Sequence, residues 1–293
     1  MSSGVVEWKG PNPLRSYLYV PGDASDKLAK ATGRGADAVI VDLEDAVPPA
    51  GKDAARSAAA AFLRAAPPGV AWWVRINPGR LGHVDAAAVV GPGLAGICVA
   101  KAESAAELVA LDEVLGAAES AAGLPAGTTA VVPLLESAAA VVAALDIARA
   151  PRVRRLQLGE ADLRADLGVT LGPDERELLF TRSQVVLASA AVGIAPPVAP
   201  VSTDFRDLVT LRASTMALRR LGFVGRACIH PAQVAVVNEV FTPTPEEVAT
   251  AADLVARFDA AVRDGTGVCL DAQGRMVDEA VVRSARRLLA LAV

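Results

Sequence analysis

From Ser16 onward, short runs rich in β-branched and other apolar residues alternate with longer alanine-rich stretches. That is the rhythm of repeated strand-then-helix units. The runs predict strands over 16–20, 38–43, 71–76, 96–101, 130–135, 155–159, 197–201 and 227–229. Eight strands with helical crossovers imply an α/β fold, a closed (β/α)8 TIM barrel, with an open doubly wound sheet as the alternative. The turn after the first strand reads Pro21-Gly22-Asp23 and lacks the glycine fingerprint of a dinucleotide-binding sheet, which favours the barrel. Asp23 and Ser25 suit the start of a helix running to Thr32, and Ser104 with Glu107 three positions later has capping-box form. Past the last strand, the sequence predicts a helix over 230–241, a break at Thr242-Pro243-Thr244-Pro245 and a second helix over 246–263. A glycine-punctuated loop or small hairpin then leads to a final helix. We therefore expect a barrel domain over 1–241 and a C-terminal extension over 242–293 made of a helix, a lid loop and a helix.

Composition narrows the class. Hydrophobic residues are 53% of the chain, but much of that is alanine, and no apolar run reaches the roughly 20 residues of a membrane span. The expectation is a soluble chain with no membrane partner. The N-terminal MSSGVVEWKGPNPLRS lacks the basic start and apolar segment of a secretory signal, which points to the cytoplasm. Cys98, Cys228 and Cys269 lie far apart without paired spacing, against both a disulfide framework and a zinc site. A net charge of -4 with acids and bases interspersed offers no basic stripe to nucleic acid.

Candidate chemistry sits where strands end, because parallel sheets with helical crossovers gather ligands at the carboxyl ends of their strands. The strand over 130–135 hands over to Glu136, and the one over 155–159 runs into a loop carrying Asp162. Two converging carboxylates with no histidine nearby suit a hard divalent cation such as Mg2+, which takes one or two protein carboxylates and fills its octahedron with water and substrate oxygens. Taken alone, the same two acids better suit the first turns of helices, and the rest of the chain has to overturn that reading. VIVDLEDAV places Asp42, Glu44 and Asp45 in one short loop, where their repulsion calls for cations or protons, and Lys52 and Arg56 on the next helix are the candidates. This loop fits either a solvated cluster of surface ion pairs or a set of acids that hold metal-bound waters from outside.

In AWWVRIN, alternation puts Trp73, Arg75 and Asn77 on one face and Trp72, Val74 and Ile76 on the other. Arg75 should then point to the barrel mouth, where its planar fork fits a carboxylate or a developing enolate oxygen; a salt bridge with one of the acids is the alternative. Arg15 fits either a second anion clamp for substrate or a surface charge. Lys101 would need a depressed pKa to form a Schiff base, and the neighbouring acids oppose that. His83 and His230 read as local hydrogen-bonding groups.

RSYLYVPG at 15–22, DAVIVDLEDAV at 37–47, VRIN at 74–77, PLLES at 133–137, GEADLRADLG at 159–168, GFVGRACIHPAQV at 222–234 and GRMVDEAVVRSA at 274–285 together resemble the citrate lyase beta subunit-like branch of the HpcH/HpaI aldolase family. The resemblance implies a TIM barrel, Mg2+ and reversible carbon–carbon cleavage of a 3-hydroxyacyl thioester such as malyl-, citramalyl- or citryl-CoA, giving acetyl-CoA and a 2-oxo acid. Carried over by position, it makes Glu136 and Asp162 metal ligands, with Glu136 also at the substrate, and Arg75 the substrate-binding, catalytic arginine. It makes Asp278 an acid/base carboxylate supplied by a neighbouring subunit, and so implies a homo-oligomer, a trimer or a hexamer built from two. Two departures touch acyl specificity and CoA binding: VAKAES replaces the frequent leucine-proline-lysine pattern at Lys101, and Arg226 stands where lysine is common. The rivals are a citrate lyase complex subunit working on an acyl carrier protein thioester and an HpaI-type pyruvate aldolase without CoA. The second of these is expected to carry a histidine where this chain has Asp42, Glu44 and Asp45.

Overall fold

The computed structural model describes residues 14–292. One compact unit covers Leu14–Asn238. Its strands are β1 (Ser16–Pro21), β2 (Ala38–Asp42), β3 (Ala71–Ile76), β4 (Leu94–Val99), β5 (Ala130–Leu135), β6 (Gln157–Leu158) and β7 (Arg226–Cys228). The helices between them are α1 (Ser25–Ala31), α2 (Lys52–Leu63), α3 (Gly79–Val89), α4 (Ala105–Ala121), α5 (Ala138–Val142), α6 (Ala144–Arg149), α7 (Glu160–Leu167), α8 (Leu179–Val192) and α9 (Leu208–Leu221), with α10 (Pro231–Phe241) after the last strand. The sheet runs β6-β5-β4-β3-β2-β1-β7, with every neighbouring pair parallel. This is the TIM-barrel-like arrangement that the alternation of elements predicts.

The expected strand over 197–201 is the exception. Val198 bridges Gln157 on one side and Ala199 bridges Arg226 on the other, so the two sheet edges meet through isolated bridges and not through a full strand. The cause is in the sequence: Pro196, Pro197 and Pro200 have no N–H to give, so the ladder cannot grow past the two residues between them. The strand expected over 96–101 sits earlier, at β4, because Lys101 turns out of the extended region to a φ of 51°. Neither Asp23 nor Ser25 caps α1, which begins after Ala24 without a side-chain cap.

Strand register stacks the inward-facing residues in layers. Tyr19, Ile40, Trp73, Gly96 and Ala130 are cross-strand neighbours in one layer, and Pro21, Asp42, Arg75, Cys98 and Val132 form the next, toward the carboxyl ends. The first layer is filled by pairing large with small: a Cβ on Gly96 would lie 2.3 Å from the Trp73 ring, so only glycine leaves room for the indole. On the outside, Trp72 meets Phe62 of α2 edge-on, with ring centroids 4.9 Å apart. The alternation expected for β3 is therefore observed.

The chain from Glu239 onward forms a second unit. It holds α11 (Pro245–Arg263), the antiparallel pair β8 (Cys269–Leu270) and β9 (Met276–Val277), and α12 (Glu279–Ala290). Thr244 and Glu247 form a reciprocal capping box at the start of α11, and Phe258, Val277 and Val282 make the buried core. No helix among the described residues is long and apolar enough to cross a membrane.

At the amino ends of the staves, Arg155 is 7% exposed and turned to main-chain oxygens. Its guanidinium donates to Pro196 O at 2.7 Å, to Tyr17 Oη at 2.7 Å and to the carbonyl of Val224, so one side chain ties β1, the proline-limited stave and the entry to β7 where the ladder is thinnest. Replacing it with methionine strands several buried acceptors at once. Arg155→Met is expected to cost about 2–4 kcal/mol in a urea unfolding titration.

Candidate active site

β2 ends at Asp42, and the chain then folds back around that carboxylate: Oδ1 accepts from Glu44 N at 2.9 Å and Oδ2 from Ala46 N at 3.3 Å. Glu44 Oε2 in turn accepts from Asp45 N at 2.9 Å. Arg75, opposite Asp42 in the β2–β3 register, closes a bidentate pair, Nε to Oδ1 at 2.7 Å and Nη2 to Oδ2 at 2.6 Å. Its Nη1 is held more loosely, at 3.1 Å from Glu44 Oε2 and 3.4 Å from Asp45 Oδ2, and its guanidinium lies 5.0 Å from the centre of the Tyr19 ring. Lys101 reaches the same acids from the end of β4, with Nζ 2.5 Å from Glu44 Oε1 and 3.5 Å from Asp45 Oδ1.

The cations that quiet the acidic loop are thus Arg75 and Lys101, not Lys52 and Arg56. Lys52 Nζ donates to the main-chain oxygens of Leu43 and Glu44, at 2.8 and 2.6 Å. Arg56 is drawn away by the fully buried Asp85, at 2.6 Å, and by Asp53. Burial pushes the Glu44 carboxyl up, against the pull of Lys101 and Arg75. At Asp45 burial also pushes upward, but the bond with Glu44 and the charges of Arg75 and Lys101 outweigh it and leave this carboxyl below its usual range. The bond to Glu44 holds the Lys101 ammonium well above its ordinary pKa despite some burial, so it stays charged and is unsuited to imine chemistry.

Glu136 follows β5 and is 7% exposed. Lys101, with its positive φ, aims its backbone N–H at Glu136 Oε2, 2.8 Å away. Across the carboxylate lies Gly159, where a Cβ would fall 2.5 Å from Glu136 Oε1; glycine is what lets the side chain through. Burial, reinforced by the charges of Glu44 and Asp162, pushes the Glu136 carboxyl up to about 7 against the Lys101 N–H and Arg75. Asp162 is exposed in the first turn of α7. Asp42, Arg75, Glu136 and Asp162 all line one cavity of about 390 Å3, with Tyr19 and Gln157 also in its wall. No group of three or more histidine, cysteine or acidic side chains poised for a metal occurs among the described residues. A pair of carboxylates, one of them buried and short of positive charge, fits a hard divalent cation that takes its other ligands from water and substrate.

The structure therefore brings together Asp42, Glu44, Asp45, Arg75, Glu136 and Asp162. Arg15 it places elsewhere: it precedes β1, at the amino end of the barrel, and its guanidinium is taken up by Asp37 with Nη2 to Oδ1 at 2.8 Å. A strand's amino end faces away from the mouth, and a side chain there is in no position to clamp a ligand. Asp278 lies in the second unit as the N-cap of α12, its Oδ1 accepting from Ala280 N at 3.0 Å and Val281 N at 3.1 Å. His230 accepts from Ala232 N through Nδ1 and stacks on Phe205, a local role as expected. Arg226 is 4% exposed and packs against α9, with Nε on Pro200 O at 2.9 Å and Nη1 on Thr215 Oγ1 at 2.7 Å, so this departure from lysine lies outside the cavity. Tyr19 and Gln157 were not singled out in the sequence, though strand alternation from Tyr17 and from Gly159 would have pointed to both. Gln157 Nε2 donates to Tyr19 Oη at 3.1 Å, while its Oε1 is buried with no partner among the described residues.

A parallel α/β barrel whose strand ends deliver converging carboxylates and an arginine to one cavity defines the class of protein. The model of the HpcH/HpaI aldolase/citrate lyase family matches residues 15–231, and the chain belongs to that family. It is 38% identical to a citrate lyase subunit beta-like protein of Deinococcus radiodurans, over 95% of this chain and 97% of that one. It is 34% identical to a (3S)-malyl-CoA thioesterase of Cereibacter sphaeroides, over 96% and 95%. Among solved structures it resembles the CitE protein of Mycobacterium tuberculosis in complex with magnesium, acetoacetate and coenzyme A, with a TM-score of 0.73 and 31% identity over 96% of this chain and 98% of that one.

The two ion pairs at the acidic loop, Arg75 with Asp42 and Lys101 with Glu44, differ in what their loss should do. Asp42→Ala leaves the mostly buried Arg75 without its bidentate partner and is expected to cost about 3–5 kcal/mol. Lys101→Met removes an ammonium that is 42% exposed and is expected to cost less than about 1 kcal/mol. Equal losses for the two variants in chemical denaturation would contradict this ordering.

Proposed function

We propose that this chain is a magnesium-dependent carbon–carbon lyase that cleaves a 3-hydroxyacyl-CoA such as malyl-, citramalyl- or citryl-CoA to acetyl-CoA and a 2-oxo acid. The single observation that carries the reading is the pairing, in one cavity, of the charge-starved Glu136 and Asp162 with Arg75. Membership of a family that includes citrate lyase beta subunits supports the lyase chemistry, and the magnesium-bearing CitE complexes support the metal.

Glu136 and Asp162 would hold the ion. Bound there, magnesium supplies a Lewis acid for the oxygens of the 2-oxo acid portion. Arg75 stays protonated throughout, because Asp42 holds its charge against burial. Its Nη1, the nitrogen with the longest contacts, is the donor free to strengthen toward a thioester enolate oxygen as charge builds there. Asp42 keeps the guanidinium plane fixed while that happens, so little reorganisation is needed at the moment of bond breaking. The proton of the substrate hydroxyl goes to Asp278 of a second copy, in a homotrimer or hexamer working in the cytoplasm. After the carbon–carbon bond breaks, that proton is returned to the enolate carbon to give acetyl-CoA. Both cap bonds of Asp278 use Oδ1, which leaves Oδ2 to take the proton.

The thioesterase name carried by some relatives and the alternative of a complex subunit using acyl carrier protein are separated by one assay. Purified protein is given a panel of free 3-hydroxyacyl-CoA thioesters with Mg2+ or with a chelator. We expect release of acetyl-CoA and a 2-oxo acid from at least one of them, loss of turnover with the chelator, and a fall in kcat of about 100-fold or more in Asp278→Asn. Release of free CoA with the acid left intact would point to a thioesterase instead.

A second measurement uses the Glu136 carboxyl. With its pKa near 7 in the absence of metal, it is protonated below that value, and a proton then competes directly with the cation. Magnesium affinity measured by calorimetry should be flat above pH 7 and fall by about tenfold per pH unit below it. In Glu136→Gln the steep arm should vanish along with most of the affinity.

A further inference from the structure

Glu136 is held by the Lys101 N–H and confined by the closeness of Gly159, but Asp162 is exposed and goes wherever α7 carries it. α7 is a short helix that follows a two-residue strand and begins after Gly159, which has no side chain to cap it. Two side-chain ties hold it. Arg182 of α8, 5% exposed, grips Glu160 at the helix start with Nε to Oε1 at 2.6 Å and Nη2 to Oε2 at 2.8 Å. At the other end, Asp166 Oδ2 accepts from Ala138 N at 2.7 Å.

The second tie is the informative one. Asp166 lies one helical turn past Asp162, on the same face of α7. Ala138 lies two residues past Glu136, and its N–H is the first of the α5 donors that no helical carbonyl can satisfy. The bond therefore joins α7, the helix that carries one acid, to the start of α5, two residues after the other acid. Ser137 does not share this work: its hydroxyl accepts from Ala140 N and stays within α5. A negative group at that helix start is also favoured by the backbone dipole.

We propose that Asp166 is a positioning residue: its bond to Ala138 sets the separation of Glu136 and Asp162 and so the fit of the divalent cation between them. This rests on the reading that those two carboxylates share the ion. Asp166 does not touch the cation; it holds α7 against the β5–α5 turn so that Asp162 meets Glu136 at one distance.

The test is a magnesium titration by calorimetry on the full chain, with thermal unfolding of each variant alongside. Asp166→Ala is expected to weaken magnesium binding by about tenfold or more. Asp166→Asn, which drops the charge but keeps an oxygen that can accept from Ala138 N, should recover affinity to within about threefold of the native chain, since its geometry is restored. Asp166→Glu keeps charge and acceptor but adds a methylene, and should fall between the two. Ser137→Ala loosens the same helix start without touching α7 and should bind magnesium as the native chain does. Native affinity in Asp166→Ala, equal losses in Asp166→Asn and Asp166→Ala, or a loss in Ser137→Ala as large as in Asp166→Ala would each overturn the proposal. If Asp166→Ala does not fold, the order of the Asn and Glu variants decides. Native affinity in Glu136→Gln and in Asp162→Asn would instead sink the reading of the ion pair beneath it.

Discussion

The mouth of this barrel is organised by a shortage of positive charge around one buried carboxylate. Arg75 is committed to Asp42, and the Lys101 ammonium is committed to Glu44 and Asp45. Glu136 receives one main-chain N–H, while burial and the charges of Glu44 and Asp162 act against its ionisation. A group in that position either takes up a proton or attracts a cation. Everything nearby conforms to this: the left-handed turn at Lys101 that presents the N–H, the absent side chain at Gly159, and the two ties that keep α7 in place.

Two arginines of the barrel, Arg155 and Arg75, show how the ends of one fold divide labour. Arg155, at the amino ends, is surrounded by neutral oxygens and closes the ring where prolines interrupt it. Arg75, at the carboxyl ends, is surrounded by acids and faces the cavity. The first can only hold the structure together. The second keeps a donor to offer, because its third and fourth acid contacts are longer than its first two. Below Arg75 the Trp73 and Gly96 layer fills the barrel, which leaves the cavity at the carboxyl ends of the strands.

Much of the fold could be read from the pattern of apolar positions. β3 and β5 lie where their apolar runs put them, and both are buried along most of their length. The stave over 197–201 reads as a full strand from its apolar pattern but is less than one, since the missing N–H groups of the prolines decide how far a ladder extends. At the site, the residue types were legible and the partners were not. Asp42 and Arg75 are 33 positions apart and meet only because β2 and β3 pair in that register. Lys52 and Arg56 looked like the natural cations of the acidic loop from sequence distance, yet a buried aspartate on α3 claims one of them and main-chain oxygens claim the other. Arg15 and Arg75 look alike in the sequence; the end of the strand each occupies separates them.

The size of the cavity bears on how the proposed substrate would lie. At about 390 Å3 it stands at the small end of pockets that take compact ligands, and its wall is closed at depth by the Tyr19–Gln157 pair. On the proposed reading, such a space would hold the oxo-acid end and the short acyl group of a CoA thioester and would leave the long pantetheine and nucleotide portions outside the staves. On the same reading, discrimination among malyl, citramalyl and citryl groups would fall on the few apolar side chains of the wall, Leu134 and Val201 among them, where one methyl is worth about 1–3 kcal/mol. The reacting centre, by contrast, is held by charge. That separation of apolar walls from a fixed ionic centre would let the accepted group change by substitution in the wall without disturbing the acids and the arginine of this chain.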